Sequence, residues 1–399
     1  MKKIGLLPKL ILGIIAGIII GLISASAGQL GLVRLMSTFS SIFGNFLSFM
    51  IPCIIIGFVA PGIADLGKQA GKTLGITALI AYCSAVTAGF VAFFVGKAIL
   101  PGVISMGELS METSVNVSPL FSIEMGQIMG VMTALIFAFV LGIGMSTLQS
   151  DKLLAVTKDF QSLMAKTVKH VLIPLIPIHI AGVFAKLSAA GQIFQTIAAF
   201  ASVFALIIIL QLLYVVVQYC IAWAVSGKKP VKAIKNMLPA YFTALGTQSS
   251  AATIAVTLDC ARKNEVSDDI VDFVIPLGAT IHLAGDTITL VLASMGVMLL
   301  FGQTPTLALM APFIFMLGIT MVAAPGIPGG GVMAALGLMS SMLGFAQPQL
   351  DLMIALHFAQ DSFGTATNVT GDGAIAIIID SLFGQKLKQA HKQSKEKAA

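Results

Sequence analysis

The chain has 399 residues, 57% of them hydrophobic and only 10% charged, with a mean hydropathy of +0.99. Soluble globular chains run near ~25% charged, and apolar stretches this long and numerous exceed what a soluble core holds, so a water-soluble enzyme or binding domain is excluded in favour of a polytopic membrane protein. The net charge of +6 marks no nucleic-acid partner, because the cations fall in alternate loops rather than in one patch.

Lys2 and Lys3 precede an apolar run over 10–23 that ends at Ala25-Ser26-Ala27, the layout of a cleavable signal peptide. We read it instead as a retained first span, because its removal would put every later loop out of step with the charge bias. Apolar spans run roughly over 6–27, 38–64, 73–99, 126–149, 168–189 and 194–225. A polar loop over 102–118 carries Glu108 and Glu112, and Asn116 in it opens a sequon that Pro119 follows and that we read as unused. Polar, basic connections over 150–169 and 226–235, with the lysines of 385–399, put both termini on the cytoplasmic side of a cell inner (plasma) membrane. Only Arg34, Lys97 and Lys186 fall opposite. Cys53, Cys83, Cys220 and Cys260 are scattered without CxxC spacing, so neither a disulfide framework nor a zinc site is expected.

After Ser226 the pattern changes. Residues 237–258 carry a small polar patch, Thr247-Gln248-Ser249-Ser250-Ala251-Ala252-Thr253, and the segment begins and ends in cytoplasmic-type charge. Two halves of about 14 residues are about 21 Å each and cannot cross a core of ~30 Å, so a re-entrant hairpin is predicted over about 231–262. A segment over about 267–301 is broken near Gly278–Asp286, and another over about 306–345 is interrupted by Gly326-Ile327-Pro328-Gly329-Gly330-Gly331, a second hairpin. The last span, about 349–384, is expected to break within 361–372. The predicted fold is all-α: eight transmembrane helices plus two re-entrant hairpins, with the second hairpin and broken helix inverted relative to the first. Corresponding discontinuous segments in inverted halves mark the binding site of a secondary transporter.

Carboxylates at bilayer depth are costly, about 2.5–3.5 kcal/mol per Asp on insertion scales, and so mark function. Asp361 and Asp372 lie at such a depth beside Thr365, Asn368, Thr370 and two glycines, a set of oxygen donors that suits a small hard cation. His282 and Asp286 are four residues apart, as are His357 and Asp361. On a helix each pair shares a face, a spacing that fits proton coupling at His282 and Asp286, a transition metal, or an internally bonded pair.

Four motifs in order, Thr247–Thr253, Pro276–Ile281, Gly326–Gly331 and Asn368–Asp372, resemble the dicarboxylate/amino acid:cation symporter family, the bacterial and archaeal relatives of glutamate transporters. That family is itself among the cases on which the inverted-repeat rule rests. The resemblance implies a homotrimer in membrane lipid and no enzyme activity. It also implies scaffold helices in 1–72 and 101–193, and a transport domain made of helix 3 (73–100) and 194–384, ahead of a basic cytoplasmic tail (385–399). Asp361 is expected to bind a substrate amino group. Ser249, Ser250, Thr365 and Asn368 are expected to hold its α-carboxylate, and the tip at Gly329 to close over it. Sodium, the coupling ion, is expected at Gly278, His282, Asn368 and Asp372; no other cofactor is implied.

Two departures matter. Acidic-substrate members carry an arginine at the position of Gly364 or of Gln248, and between 240 and 380 the only cations here are Arg262 and Lys263. A buried substrate side-chain carboxylate would have no partner, so the expected substrate is a small neutral amino acid, in keeping with features of the serine/threonine branch. Ala284 stands where the family has an ion-binding carboxylate. The alternative is a dicarboxylate or acidic amino acid symporter of the same family, with protons as a variant coupling ion. A channel needs a continuous polar stripe, and an intramembrane enzyme built on Ser249 or Ser250 with His282 needs an oxyanion site. The polar residues instead cluster at one depth, and the serines lie in a Ser/Ala tip that the resemblance already explains.

Overall fold

The computed structural model describes residues 6–68, 72–107, 109, 117–322, 324, 326 and 328–398. Lys2 and Lys3, Glu108 and Glu112, Asn116, and Pro325 and Ile327 of the second hairpin tip lie outside the described residues. The described residues form fourteen α-helices and no strand: α1 (Leu6–Ser26), α2 (Gly31–Lys68), α3 (Lys72–Ile99), α4 (Val131–Thr147), α5 (Asp151–Thr167), α6 (Ile173–Ala189), α7 (Ile193–Ser226), α8 (Pro230–Thr247), α9 (Ser250–Arg262), α10 (Asp268–Ile281), α11 (Ala284–Leu300), α12 (Leu307–Val322), α13 (Gly330–Leu343) and α14 (Gln347–Ala398). Six stretches among them are long and apolar enough to cross a membrane: Pro8–Ser26, Gly31–Ala64, Thr73–Gly102, Asp151–Ala189, Ile193–Ser226 and Asp268–Leu300.

Two groups of helices are visible in the packing. Helices α1, α2, α4, α5 and α6 pack chiefly on one another, and α3, α7 and α8 to α12 gather around α11 and α14. Gly13, Gly17 and Gly21 of α1 make the first group close: a β-carbon on any of them would run into the backbone of α6 at Pro177, Ala181 or Ala185. In the second group every residue of α11 is buried. Toward the outside, α7 exposes Ile209, Leu212, Leu213, Val216 and Val217, the apolar surface of a lipid-facing helix.

Two pairs of short helices, α8 with α9 and α12 with α13, have arms of 13 to 18 residues, about 20–27 Å long. The first turns at Gln248, which takes the left-handed conformation (φ 53°) after α8, and Ser249 then caps α9 by accepting from the Ala252 N–H. At the second, Gly329 (φ 71°) supplies the left-handed turn into α13. The break between α10 and α11 falls at His282, whose backbone is extended (φ −113°, ψ 93°).

Two expectations are corrected. The basic stretch over 150–169 is a helix, not a connection: α5 is amphipathic, capped by the Ser150 hydroxyl, and runs through one wide π turn (Val168–Leu172) into α6. Its polar face hides the periodicity that a purely apolar span would show. The last span does not break at 361–372, where α14 is continuous. Gly364 and Gly371 keep right-handed backbone, and what Gly371 provides is close approach. A β-carbon at Gly371 would stand 2.6 Å from His282 Cε1 and 2.7 Å from Gln218 Oε1. Arg262, expected in a loop, is the last residue of α9 and pairs with Asp259, Asp268 and Asp272 at the surface.

Candidate functional site

The site lies where the two hairpin tips meet α14 and the start of α11. Ser249 Oγ donates to the carbonyl of Gly326 at 2.9 Å, joining one tip to the other. Gln248 Nε2 donates to Ser362 Oγ at 2.9 Å, which fixes the first tip on α14 and supports its left-handed backbone. The second tip is fixed by Gly329, whose N–H donates to Asp361 Oδ2 at 2.8 Å. Gly329 also packs so closely on the Phe358 ring that a β-carbon there would overlap it. Ser250 and Thr365 are buried beside these contacts.

Because α10 stops at His282, α11 begins inside the protein with its first N–H groups unsatisfied by its own turn. Asn368 of α14 supplies the missing acceptor: its Oδ1 takes the Gly285 N–H at 2.7 Å, while its Nδ2 donates to Asp286 Oδ2 at 2.6 Å. The other Asp286 oxygen is 2.8 Å from His357 Nε2. One helical turn beyond Asn368, Asp372 Oδ1 is 3.0 Å from His282 Nδ1. Gly278 lies against this carboxylate; a β-carbon on it would be 2.7 Å from Asp372 Oδ1.

The histidines therefore do not pair as their spacing implies. His282 goes to Asp372 rather than Asp286, and Asp286 goes to His357. The extended backbone at His282 is the reason, since a spacing of four shares a face only where the helix runs through. His357 still stays near Asp361: Asp286, His357 and Asp361 each offer an atom, and these lie within 4.8 Å of one another.

Several site residues escaped the sequence argument. His282 Nε2 is 3.1 Å from Ser84 Oγ of α3 and 3.2 Å from Gln218 Nε2 of α7. Gln211 of α7 donates to the Gly285 carbonyl and to Thr289, and exchanges bonds with Gln360. Gln211, Tyr214 and Gln218 follow an i, i+3, i+7 stripe on an otherwise apolar helix, a signal that marks an inward polar face.

Of the buried oxygens without a hydrogen-bond partner, Gln218 Oε1 lies against Gly371 beside His282, and Thr367 Oγ1 and Thr370 Oγ1 belong to the same stretch of α14 as Asp372; oxygens of this kind are what a dehydrated small cation requires.

Comparison with known proteins agrees with this architecture. A profile of the sodium:dicarboxylate symporter family matches residues 6–382. Excitatory amino acid transporter 1 of Rattus norvegicus is 33% identical over 189 residues, 46% of this chain and 32% of the relative. The Homo sapiens protein of the same name matches to the same extent. An excitatory amino acid transporter of Caenorhabditis elegans is 26% identical over 270 residues, 65% of this chain and 52% of the relative. The matched part thus spans about a third to a half of these relatives' length. With the family profile covering nearly all of it, the chain belongs to the sodium:dicarboxylate symporter family.

Proposed function

We propose that this protein is a sodium-coupled symporter that imports a small neutral amino acid by elevator-type alternating access. The observation that carries this is the closed junction of both hairpin tips over the buried Asp361, with Arg262 and Lys263, at the far end of α9, the only lysine or arginine between 240 and 380. Asp361 receives the substrate ammonium group, a cation that compensates a carboxylate otherwise expensive to bury. Asn368, Thr365, Ser249 and Ser250 hold the α-carboxylate. Gly329 moves with the second tip, whose opening breaks the Gly329–Asp361 bond and admits the substrate. Asp372, Asn368 and Gly278, with His282 beside them, form the sodium site. Ion and substrate then share Asn368, and each favours the conformation the other binds, which is the coupling a symporter requires.

The same reading takes α1, α2 and α4 to α6 as the scaffold of a homotrimer. It takes α3 and α7 to α14 as the moving unit, in eight crossings and two re-entrant hairpins with both termini cytoplasmic. The packing of the two helix groups supports that division, α13 alone resting substantially on both, against α12 and α14 on one side and α2 and α4 on the other. One observation favours a second reading, in which a proton replaces one sodium: an imidazole, not an oxygen ligand, faces Asp372, and Ala284 offers no carboxylate. The test is uptake of labelled serine, alanine, aspartate and succinate into proteoliposomes under imposed sodium or proton gradients. Serine or alanine uptake driven by sodium supports the proposal. Uptake of aspartate or succinate alone refutes the substrate, and uptake driven only by protons refutes the coupling ion.

A further inference from the structure

Away from the hairpin tips, a polar cavity lies where α7 ends, α8 begins and α9 ends. Its volume is about 620 Å³, and Lys228, Lys229, Lys232 and Lys263 line it with one acid, Glu265. Hydrogen bonds within the protein set its shape. Gly227, with left-handed backbone (φ 75°), ends α7 and turns the chain into Lys228. Lys228 Nζ donates to the carbonyls of Asn264 at 2.8 Å and Glu265 at 2.7 Å, and lies 3.8 Å from Asp380 Oδ2 of α14. Asn236 of α8 forms another wall, donating to Asn264 Oδ1 and to the Lys263 carbonyl.

Charge in this cavity is unbalanced. Glu265 Oε1 is 3.1 Å from Lys232 Nζ, which pairs one of the four lining lysines with the one lining carboxylate and leaves cations in excess. Arg262, next in the chain to Lys263, is already turned to Asp259, Asp268 and Asp272. α8 also begins here, and the first N–H groups of a helix favour an anion. The surroundings fix the depth. On α7 the exposed apolar surface continues through Ile221, Trp223 and Val225 and stops at Ser226, and on α8 it resumes at Val231, Leu238 and Phe242. Tryptophan concentrates at the level of lipid headgroups, so the basic cavity opens beside the headgroup layer.

We infer that this cavity binds the phosphate of an anionic phospholipid, whose acyl chains lie along the exposed apolar side chains of α7 and α8. Lys229 and Lys263 supply the attraction, while Lys228 holds the cavity together. A lipid bound there ties the end of α7 to both arms of the first hairpin. The inference is independent of what the chain transports. Lysines that were merely solvated would give this part of the surface no advantage over any other basic part.

The test is thermal unfolding of the full chain in detergent, titrated with dioleoylphosphatidylglycerol, with dioleoylphosphatidylcholine or with inorganic phosphate. Phosphatidylglycerol should raise the unfolding temperature to a plateau, and the other two should not. A lysine near an anionic surface is worth about fivefold in affinity. Lys229→Gln with Lys263→Gln should therefore raise the half-saturating lipid concentration by about tenfold or more. Lys152→Gln with Lys166→Gln, the same loss of charge on α5, should leave it unchanged. Glu265→Gln removes the competing carboxylate and should lower it. Equal effects of the two lipids, or equal effects of the two lysine pairs, would overturn the inference. A matching rise with inorganic phosphate would overturn the lipid as occupant. Where the first lysine pair cannot be replaced without unfolding, salt decides on the wild type. Going from 0.1 M to 1 M salt shortens the Debye length from about 10 Å to about 3 Å and should raise the half-saturating concentration severalfold, and binding indifferent to salt overturns the site.

Discussion

His282 and Asp372 are 90 residues apart in the chain and 3.0 Å apart in the structure, both almost completely buried. Through this contact the break between α10 and α11 is joined to α14. The other side of the ring is held by Ser84 of α3 and Gln218 of α7, so one imidazole ties both of these helices and α14 to the break between α10 and α11. A cation bound to Asp372 must share the carboxylate with this ring or displace it. Asp372→Asn keeps the shape and removes the charge. It should raise the sodium concentration for half-maximal uptake at least tenfold, as read from sodium titration of initial rates. An unchanged sodium dependence would remove Asp372 from the ion site.

Gly278→Ala probes the same carboxylate without changing it. The added methyl carbon would be 2.7 Å from Asp372 Oδ1 and 2.8 Å from its Cγ, so the side chain must move. The variant should bind sodium more weakly with the fold intact. At Gly371 the obstacles are His282 Cε1 at 2.6 Å and the amide of Gln218, which are themselves held by hydrogen bonds. Gly371→Ala should therefore cost stability as well, by about 1–3 kcal/mol for an overpacked interior. Thermal unfolding in detergent, compared between the two variants, reads this difference.

Asp361→Ala should abolish amino-acid uptake. Its Oδ2 accepts the Gly329 N–H, so the variant also frees the second tip, and hydrogen exchange at the Gly329 amide should quicken in Asp361→Ala. Full uptake by Asp361→Ala would sink the assignment of the substrate ammonium group to this residue.

Much of this architecture is legible in the sequence, and the misses have definite causes. The hairpin tips declare themselves because Gln248-Ser249-Ser250 and Pro328-Gly329-Gly330-Gly331 interrupt apolar runs too short to cross a bilayer. The polar run ending at Asp286 likewise marks the break after His282. Glycine misled within α14, because the same residue that loosens a helix also lets two helices approach, and spacing alone cannot separate these uses. The histidine pairing is not legible for a related reason: which faces are shared depends on where the helix stops, and residue spacing does not fix the stop. Ser84, Gln211 and Gln218 are not legible because single polar residues in apolar spans carry little signal until a partner helix is in place.

The closeness of Gly364 to Asp286 changes what an arginine at position 364 can do. The sequence argument alone expects Gly364→Arg to create a site for an acidic side chain, by a bidentate pair with its carboxylate. In the structure the β-carbon of that arginine would start 3.6 Å from Asp286 Oδ1, and a carboxylate already present in the protein will capture the guanidinium before any substrate does. The single variant should lose serine and alanine uptake, because the new pair occupies the pocket, and should gain little affinity for aspartate. Asp286→Thr alone removes one of the two carboxylates clustered there, whose charge repels an acidic side chain, and should allow weak aspartate competition. Only Asp286→Thr with Gly364→Arg frees the guanidinium for the substrate, and aspartate should then displace labelled substrate better than serine. A well-made pair of about 2–3 kcal/mol corresponds to roughly 30- to 150-fold in preference. The three variants, compared by competition in proteoliposomes, form a cycle whose coupling energy reports the contact directly. If Gly364→Arg alone takes up aspartate as well as the double variant, Asp286 does not reach the space beside residue 364, and the pocket must have a different wall.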